Sequence, residues 1–362
     1  MKKASANLTK EGIEVKGVGK RKFAPALIIR PLLLQKVPHL MRKSIISVIW
    51  VTFGLFIASC GQETPNLSIS FWNVENLFDM ENDPNKNDDE FAIGGRKNVT
   101  QKIYELKLKN SAEVLADLNS DVVGLCEVEN RYVLEELNRA YTARDYEIIH
   151  YESPDGRGID NALLYDPKKL QVISSRPIAN TLPGGDKTRD ILYVKGQYAE
   201  EEIHIFVNHW PSNYGGREKA IPKRAATASL TVKEILKILT KDSDAEIILL
   251  GDFNEDPDEM NIQSLKTVGL NSLMEPMLGK PKKGTYVYRG EDLFFDQIII
   301  HESLRDNAGL AIDSNSVYIL DIPKYRQHEG DYAHFPFRFW AGNNLLGGYS
   351  DHLAVRVEIV KK

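Results

Sequence analysis

Cysteine is scarce in this sequence, with only Cys60 and Cys126 among 362 residues. Two cysteines cannot form a disulfide framework, and the chain contains no Cys/His set of the kind that favours zinc. It also contains neither the G-x-S-x-G elbow of serine hydrolases nor a P-loop with the correct spacing. The hydrophobic content of 42% and charged content of 27% are those of a globular protein.

Positive charge is depleted in most of the chain. Residues 1–59 carry 11 lysines and arginines against two acidic residues, a net charge of +9. Since the whole chain has a net charge of −5, residues 60–362 carry −14. This part therefore offers no general electrostatic attraction for a nucleic-acid backbone. A polyanionic substrate would have to be neutralised locally, through a bound cation.

Long hydrophobic runs are also lacking, because the apolar stretch Ile45–Ala58 is shorter than the ~20 residues of a membrane span. It follows the basic start Met41-Arg42-Lys43, as in a signal peptide. It ends in Ile57-Ala58-Ser59-Cys60-Gly61, which resembles the lipoprotein box of bacteria, with Cys60 as the lipidated residue. The alternative is an ordinary anchor or buried helix that happens to precede a cysteine.

These features give a set of expected boundaries. We expect residues 1–40 to be an upstream extension, 41–59 a lipoprotein signal peptide, 60–66 a tether and 67–362 a single domain. The mature protein would be anchored to a membrane of the cell envelope, outside the cytoplasm. Cys126 would then be its only free thiol, which suits an oxidising compartment.

The mature chain alternates between short apolar strands and amphipathic helices. Helices are predicted over 101–118 and 224–239 from apolar residues recurring on one face. The predicted strands, each short and β-rich, are Leu67–Trp72, Val122–Val128, Asn161–Tyr165, Ile191–Tyr198, Ile203–His209, Ile247–Leu250, Phe294–Ile300 and Leu353–Val360. The pattern indicates a mixed sheet system covered by helices. We interpret residues 82–90 as a solvated polar loop.

Polar side chains stand at the ends of several of these strands, where burial would be costly unless they are paired or ligating. The residues are Asn73, Asn76, Glu127, His209, Asp252, Asn254, Asp296, Asp351 and His352. Each alone has an ordinary explanation: an edge carboxylate, a turn residue, or a hydrogen-bonded histidine. Their co-occurrence and order carry the functional interpretation.

That order resembles the endonuclease/exonuclease/phosphatase superfamily, which has the DNase I-like fold. The matching segments are FWNVENLFD (71–79), GLCEVEN (124–130), RGIDNALLYD (157–166), NHWPSNYGG (208–216), LLGDFNEDP (249–257), FFDQIII (294–300) and YSDHLAV (349–355). The resemblance implies an α/β (α+β) fold, a four-layer α-β-β-α sandwich. It also implies metal-dependent hydrolysis of a phosphoester bond.

The resemblance implies a role for each matching residue. Asn73 and Glu127 match the positions that hold the divalent metal, and Asp351 lies close to it. Asp252 and Asn254 match the pair that orients water and phosphate. His352 matches the histidine at the phosphate, Asp296 its carboxylate partner, and His209 a second histidine of the DNase-like and phosphatase branches.

The residue chemistry is consistent with these roles. Carboxylate and amide oxygens are the donors that Mg²⁺, or Mn²⁺ in its place, prefers, and such a cation polarises a phosphoryl oxygen. Either Asp252 or His352 would take a proton from the attacking water. Asp296 would fix the tautomer of His352, while His209 and Asn254 would stabilise developing charge.

Basic residues flank three of the motifs, and Arg157 and Arg224 are the candidates for phosphate contacts. The alternative for both is ordinary solvated surface. We expect a monomer whose substrate is a nucleic acid, a nucleotide or another phosphorylated compound. The leading function is an extracytoplasmic nuclease or phosphodiesterase. The alternatives are a phosphomonoesterase or phospholipid-directed hydrolase on the same fold, and a non-catalytic binding lipoprotein.

Overall fold

The computed structural model describes residues 66–281, 283–306 and 308–362. The predicted upstream extension, the signal peptide, Cys60 and the tether up to residue 65 lie outside these residues. None of the helices within the described ranges is both long and apolar enough to cross a membrane.

Strands supply most of the regular structure. In chain order they are β1 (Leu67–Leu77), β2 (Val122–Val128), β3 (Glu147–His150), β4 (Asp160–Tyr165), β5 (Gln171–Ile178), β6 (Ile191–Tyr198), β7 (Glu201–His209), β8 (Glu246–Asp252), β9 (Leu270–Ser272), β10 (Tyr286–Tyr288), β11 (Glu291–Leu293), β12 (Asp296–His301), β13 (Leu310–Ile319), β14 (Trp340–Ala341), β15 (Asn344–Leu345) and β16 (Val355–Lys361). The α-helices are α1 (Gln101–Leu118), α2 (Arg131–Ala140), α3 (Arg217–Leu239) and α4 (Met260–Leu265). Short 3₁₀ helices cover Pro183–Gly185, Lys266–Val268, Glu275–Met277, Glu302–Arg305, Pro323–Tyr325 and Gly330–Tyr332.

The strands form two six-stranded sheets and two small hairpins. The first sheet has the order β13-β16-β1-β2-β4-β3, and the second has the order β5-β6-β7-β8-β12-β9. The pairs β1/β2 and β7/β8 are parallel. Since parallel strands finish at the same edge of a sheet, each sheet brings two carboxyl-terminal strand ends together.

Strand β1 shows how the layers are built. Leu67, Ile69 and Phe71 belong to the cluster of apolar side chains that fills the space between the two sheets. The alternate residues Trp72 and Val74 pack in the cluster beneath α1 and α2. Both faces of this strand are covered, which explains its nearly continuous hydrophobic sequence.

Strand β8 repeats this arrangement in the second sheet. Ile248 and Leu250 face the first sheet, while Ile247 and Leu249 pack in the cluster that includes Ala228 and Ile235 of α3. The order of layers is therefore helix, sheet, sheet, helix, and the predicted four-layer sandwich is confirmed.

Several predicted bounds differ from those observed. Strand β2, strand β6 and helix α1 have the predicted limits, but α3 begins at Arg217 instead of residue 224 and contains Pro222. Strand β12 begins at Asp296, two residues later than predicted. The polar loop at 82–90 is not wholly solvated as predicted, because the side chain of Asp88 is buried.

Candidate active site

The polar strand ends converge at one edge of the sandwich. In the second sheet, His209 at the end of β7 lies opposite Asp252 at the end of β8, and Asp252 lies opposite Asp296 at the start of β12. In the first sheet, Asn73 of β1 is paired with Cys126, the residue before Glu127. The strand pairings therefore bring these side chains to the same edge.

Asp252 lies at the centre of the site and is almost fully buried. Its Oδ2 accepts a hydrogen bond from Nδ2 of Asn73 at 3.0 Å, and its Oδ1 accepts one from the backbone N–H of Asn254 at 3.0 Å. The Nε2 atoms of His209 and His352 lie 3.7 and 3.9 Å from Oδ2. Burial raises the pKa of Asp252 to about 7, and the Asp296 carboxylate contributes to the rise.

His352 is held by a carboxylate behind it. Its Nδ1 is 2.7 Å from Oδ2 of the fully buried Asp296, an arrangement that leaves Nε2 directed towards Asp252. Burial alone would lower the pKa of His352, but Asp296 and Asp252 outweigh it and raise the pKa well above its usual value. The ring of Tyr286 packs 4.7 Å from the imidazole.

His209 has the opposite electrostatic environment. It is buried, and burial together with Arg189, Arg157 and His352 lowers its pKa well below the usual value. Its Nδ1 is buried without a hydrogen-bond partner, and its Nε2 lies 3.9 Å from Oε1 of Glu127. The two imidazoles that flank the Asp252 carboxylate thus have pKa values shifted in opposite directions.

Two backbone contacts connect β1 to the segment that carries His352. The hydroxyl of Ser350 donates a hydrogen bond to the carbonyl of Asn73 at 2.7 Å. The indole N–H of Trp72 donates one to the carbonyl of His352 at 3.3 Å. These bonds fix the position of the Asp351-His352 pair relative to the first sheet.

The predicted metal ligands offer a set of oxygen donors suited to a hard cation. Glu127 accepts a hydrogen bond from the N–H of Asn76 through Oε2, and no donor is within hydrogen-bonding range of its Oε1 in the described chain. The side chains of Glu127 and Asp351 are 14% and 21% exposed, so a cation in the cleft can reach them. The Asn73 side chain is buried beside Asp252.

A second set of potential ligands lies next to the first, since Asn73 donates a hydrogen bond to Asp252. Asp252, Asp296 and His352 each offer an atom within 4.8 Å of the others. Because Asp296 and His352 already share a short hydrogen bond, this trio has the geometry of a proton relay. The binding of a divalent cation by Glu127, Asn73 and Asp351 stays a prediction, for which Glu127 and Asp351 offer partly exposed carboxylate oxygens.

The backbone at the site adopts unfavourable conformations. Glu75, Asn76, Glu127 and Asn254 all have φ between 52° and 61°, a region that non-glycine residues seldom occupy. Strain of this kind concentrates where a side chain must be held in one direction. Here it lies beside the predicted metal ligands and at the carboxamide next to Asp252.

The two candidate phosphate contacts have different environments. The side chain of Arg157 is 46% exposed and lies 3.6 Å from Asp155. The prediction for Arg224 is wrong, because that residue is fully buried. Its Nε donates to Glu255 at 2.7 Å and its Nη1 to the carbonyl of Pro211 at 3.0 Å. Arg224 therefore supports the loop after His209 from inside the protein.

The sequence did not single out three further charged residues. Arg338 donates a hydrogen bond to Asp351. Glu75 accepts hydrogen bonds from the backbone N–H groups of Phe339 and Trp340. Lys107 donates a hydrogen bond to the carbonyl of Tyr349. Burial raises the pKa of Glu75 and lowers that of Lys107, both to about 8. Arg338 and Lys107 each have a signal in the sequence, a charged residue isolated among apolar neighbours, as in Phe337-Arg338-Phe339-Trp340, whereas Glu75 has none.

Solved structures of low sequence identity share this fold. D. rerio TDP2 in complex with a single-strand DNA product is 17% identical, with a TM-score of 0.54 over 81% of this chain and 98% of that one. The human Nocturnin catalytic domain with bound sulfate is 16% identical, with a TM-score of 0.54 over 82% and 95%. An endonuclease/exonuclease/phosphatase family protein from Bacteroides thetaiotaomicron is 17% identical, with a TM-score of 0.51 over 82% and 98%.

No curated protein matches the sequence significantly. The model of the Endonuclease/Exonuclease/phosphatase family matches residues 68–361, nearly all of the described chain. The match spans every strand end that contributes to the site. The chain therefore belongs to the endonuclease/exonuclease/phosphatase family, whose members hydrolyse phosphoester bonds.

Proposed function

We propose that this protein is a divalent-metal-dependent phosphoesterase that acts as a nuclease or phosphodiesterase outside the cytoplasm. The observation that carries the proposal is the buried Asp252 carboxylate between the Nε2 atoms of His209 and His352, with Asp296 behind His352. A carboxylate in this position can accept a proton from water. Two imidazoles at its sides can face a phosphoryl group.

Each residue at the site has a task in this proposal. Asp252 accepts the proton of the attacking water, since its carboxylate is the one that lies within 4 Å of both imidazoles. His352, oriented by Asp296, and His209 stabilise negative charge that develops on the phosphoryl oxygens. The Nδ2 of Asn254 donates a hydrogen bond to the carbonyl of Trp210 at 3.2 Å. This bond keeps the Asn254 side-chain amide beside Asp252.

Glu127, Asn73 and Asp351 are the residues that would hold the divalent cation. When bound, the cation supplies Lewis-acid polarisation of the phosphoryl oxygen. Mg²⁺ or Mn²⁺ suits these oxygen donors. The ion pair with Arg338 holds the Asp351 carboxylate in place at the cleft.

The substrate class of the leading proposal is supported by a neighbour. The D. rerio TDP2 structure contains a single-strand DNA product, which places nucleic acid among the ligands that this fold accommodates. A second candidate function is hydrolysis of a compact phosphomonoester or phospholipid. It is favoured by the pairing of Arg189 and Arg224 with buried carboxylates, which leaves neither positive charge free to meet a polyanion.

A substrate panel tests the activity and separates the two candidates. The purified full-length protein would be assayed on single-stranded DNA, RNA, a bis-aryl phosphodiester, a phosphomonoester and a phospholipid, each with Mg²⁺, Mn²⁺ or EDTA. We expect metal-dependent cleavage of a diester, abolished by EDTA and by His352→Ala. Cleavage restricted to the monoester or phospholipid would replace the leading candidate by the second. No cleavage by a folded, metal-binding protein would favour the non-catalytic lipoprotein.

The proposed location depends on the leader. We propose that the chain is cleaved before Cys60, lipidated at that residue and anchored to a cell-envelope membrane. Mass spectrometry of the mature N-terminus should find a lipid-modified cysteine as its first residue. An unmodified Cys60 inside a longer chain would refute the anchor without affecting the proposed chemistry.

A further inference from the structure

A groove lies between the outer edges of the two sheets. Strand β13 is an outer strand of the first sheet, and β9 is an outer strand of the second. Between β13 and the residues that follow β9, the groove has a volume of about 540 Å³. Sites for small molecules have volumes of roughly 300–1,000 Å³. This cavity, called the edge groove here, contains none of the residues of the proposed chemistry.

The floor of the edge groove is an extension of the hydrophobic core. Leu273 and Leu304 line the groove and belong to the cluster that fills the space between the sheets. Ile312 and Val317 of β13 also line it, and they are only partly buried where they pack against that cluster. Apolar surface left open in this way is typical of ligand grooves and membrane contacts. Because removing such surface from water is favourable, the floor suits an aliphatic chain.

Two cationic side chains lie at the rim of the edge groove. Lys280 and Arg305 line it and are exposed, and none of the lining residues is acidic. Of the acidic residues close to them in sequence, Glu275 pairs with Lys266, and Asp306 accepts a hydrogen bond from a backbone N–H. The edge groove is therefore lined by positive charge alone, although residues 60–362 are acidic overall. Its charge is complementary to an anion above an apolar floor.

The edge groove lies near the beginning of β1. Leu67 of β1 pairs with Ile359 of β16, which pairs in turn with Ile312 of β13. Since adjacent strands are about 4.8 Å apart, Ile312 is about 10 Å from Leu67. Cys60 precedes Leu67 by seven residues, which span at most about 25 Å. A membrane that anchors the chain at Cys60 would therefore be within reach of the edge groove.

We propose that the edge groove binds an anionic phospholipid of the membrane to which the protein is anchored. An acyl chain lies on the floor formed by Leu304, Ile312 and Val317, and the phosphate of the headgroup pairs with Lys280 and Arg305. The choice of a membrane lipid as the occupant rests on the proposed anchor. The complementarity of the groove to an anionic amphiphile does not depend on that anchor.

The lipid at this site is a docking ligand and not the substrate. Strand β1 runs from Leu67, at the end nearest the edge groove, to Asn73 and the active site. Six residues of a strand cover about 20 Å. A phospholipid held at the edge groove therefore leaves the catalytic residues free to meet another phosphoester.

A soluble lipid tests the site without a membrane. Full-length protein carrying Cys60→Ser, which cannot be lipidated, would be titrated calorimetrically in EDTA with dihexanoyl-phosphatidylglycerol below its micelle concentration. We expect one lipid to bind per chain. Dihexanoyl-phosphatidylcholine has the same chains without a net charge and should bind about 10-fold more weakly. Glycerol 3-phosphate, which has no acyl chain, should not bind measurably at the same concentrations.

Matched charge variants identify the groups that recognise the headgroup. Lys280→Gln and Arg305→Gln should each weaken the binding of dihexanoyl-phosphatidylglycerol by about 5-fold. The controls are Lys102→Gln and Lys109→Gln, which remove the same charge from exposed positions on α1. These two variants should bind the lipid as the parent protein does.

A fluorophore in the groove reports where the lipid binds. Ser314 lines the edge groove and is exposed, whereas the thiol of Cys126 is buried and is not accessible to a label. A polarity-sensitive dye on Ser314→Cys should shift its emission to the blue when dihexanoyl-phosphatidylglycerol is added. The same dye on Ser229→Cys, at an exposed position of α3, should not respond.

Several results would overturn the proposal. Equal binding of the two lipids, or unchanged binding in both groove variants, would show that Lys280 and Arg305 do not hold the headgroup. Glycerol 3-phosphate bound as tightly as the lipid would show that no acyl chain enters the groove. A dye response at Ser229 but not at Ser314 would place the lipid elsewhere.

Two features keep the test decisive. If a charge variant failed to fold, the three ligands titrated into the parent protein would still separate an anionic amphiphile from a simple anion, and absence of binding would refute the site. Because EDTA prevents turnover and binding is measured without a substrate, failure here does not affect the proposed phosphoesterase activity. An inactive protein that still bound the lipid would in turn refute the activity alone.

Discussion

Asp296 determines the orientation of the His352 imidazole at the cleft. The carboxylate of Asp296 is fully buried and accepts a hydrogen bond from Nδ1 of the imidazole at 2.7 Å. The backbone N–H of Asp296 donates a hydrogen bond to Oγ1 of Thr285 at 3.0 Å. The carboxylate therefore fixes the tautomer of His352 and favours its charged form. A histidine with Nε2 directed at Asp252 depends on this partner.

Replacing Asp296 by asparagine keeps its shape and removes its charge. We expect Asp296→Asn to lower kcat on a diester substrate by on the order of 10²-fold or more, since the imidazolium loses its stabilising partner. The pKa of His352 should fall, because Asp296 is the largest of the groups that raise it. Steady-state kinetics and an NMR titration of the His352 ring measure both effects.

The exposed Asp258 provides the control for this prediction. Asp258→Asn removes an equal charge six residues after Asp252 and should change neither kcat nor the His352 titration. If Asp296→Asn behaved in the same way, His352 would not depend on its buried partner.

At this scale the sequence could predict which residues are at the site but not all of their partners. Polar side chains at the ends of buried strands gave Asp252 and His209, and the pair before the last strand gave His352. The burial of Arg224 depends on its pairing with Glu255, 31 residues away. The pairing of Arg338 with Asp351 crosses an irregular segment without periodicity. Neither contact leaves a local pattern in the sequence.

Among the elements, buried strands were predicted better than edge strands. The bounds of β2 and β6 follow from apolar residues that must be covered. The edge strands β5 and β13 were not predicted, because an edge strand needs few apolar residues. Five of the eight residues of β5 are polar or proline, and most of its side chains are exposed.

Strand β8 carries a buried carboxylate at its beginning as well as at its end. Burial raises the pKa of Glu246 to about 7, and Asp306 and Glu201 contribute to the rise. Its Oε1 accepts from the N–H of Leu310 at 3.2 Å, while its Oε2 is buried without a partner. The folded protein thus binds this proton more tightly than the unfolded chain, whose glutamate has a pKa near 4.5.

The sign of the pH dependence follows from this difference. Between pH 4.5 and 7 the folded state holds the proton that the unfolded state has released, so stability decreases as pH rises through this window. We expect Glu246→Gln to stabilise the protein relative to wild type at pH 8 and to have a smaller effect at pH 5. Urea unfolding at both values measures the difference. Glu218→Gln, at an exposed site on α3, should show no such pH-dependent gain.

In the molecule as a whole, the active site joins two sheets that contribute different residues. Asn73, Glu127 and Asp351 come from the first sheet and its adjoining loops, and His209 and Asp252 come from the second. The hydrogen bond from Asn73 to Asp252 connects the two sets. The geometry of the site therefore depends on the distance between the sheets.

Gly124 in β2 lies where side chains of the second sheet pack closely against the first. A Cβ at this position would lie 3.2 Å from Cδ1 of Leu250 and 3.3 Å from Cγ1 of Val207, both in the second sheet. It would also lie 3.2 Å from Cδ2 of Phe71 in the neighbouring strand. A larger side chain must push the sheets apart or displace all three neighbours.

Gly124→Val should therefore impair stability and activity together. Overpacking of a close-packed core costs about 1–3 kcal/mol of unfolding free energy. We expect kcat to fall as well at temperatures where the variant is fully folded, because the Asn73–Asp252 bond lengthens when the sheets separate. Denaturant unfolding and kcat measured on the same preparation test both statements. The control is Gly156→Val, at a position where a Cβ would meet only Nδ2 of Asn87, at 3.6 Å. Full kcat in a destabilised Gly124→Val protein would show instead that local contacts at each strand end position the catalytic residues independently of the sheet spacing.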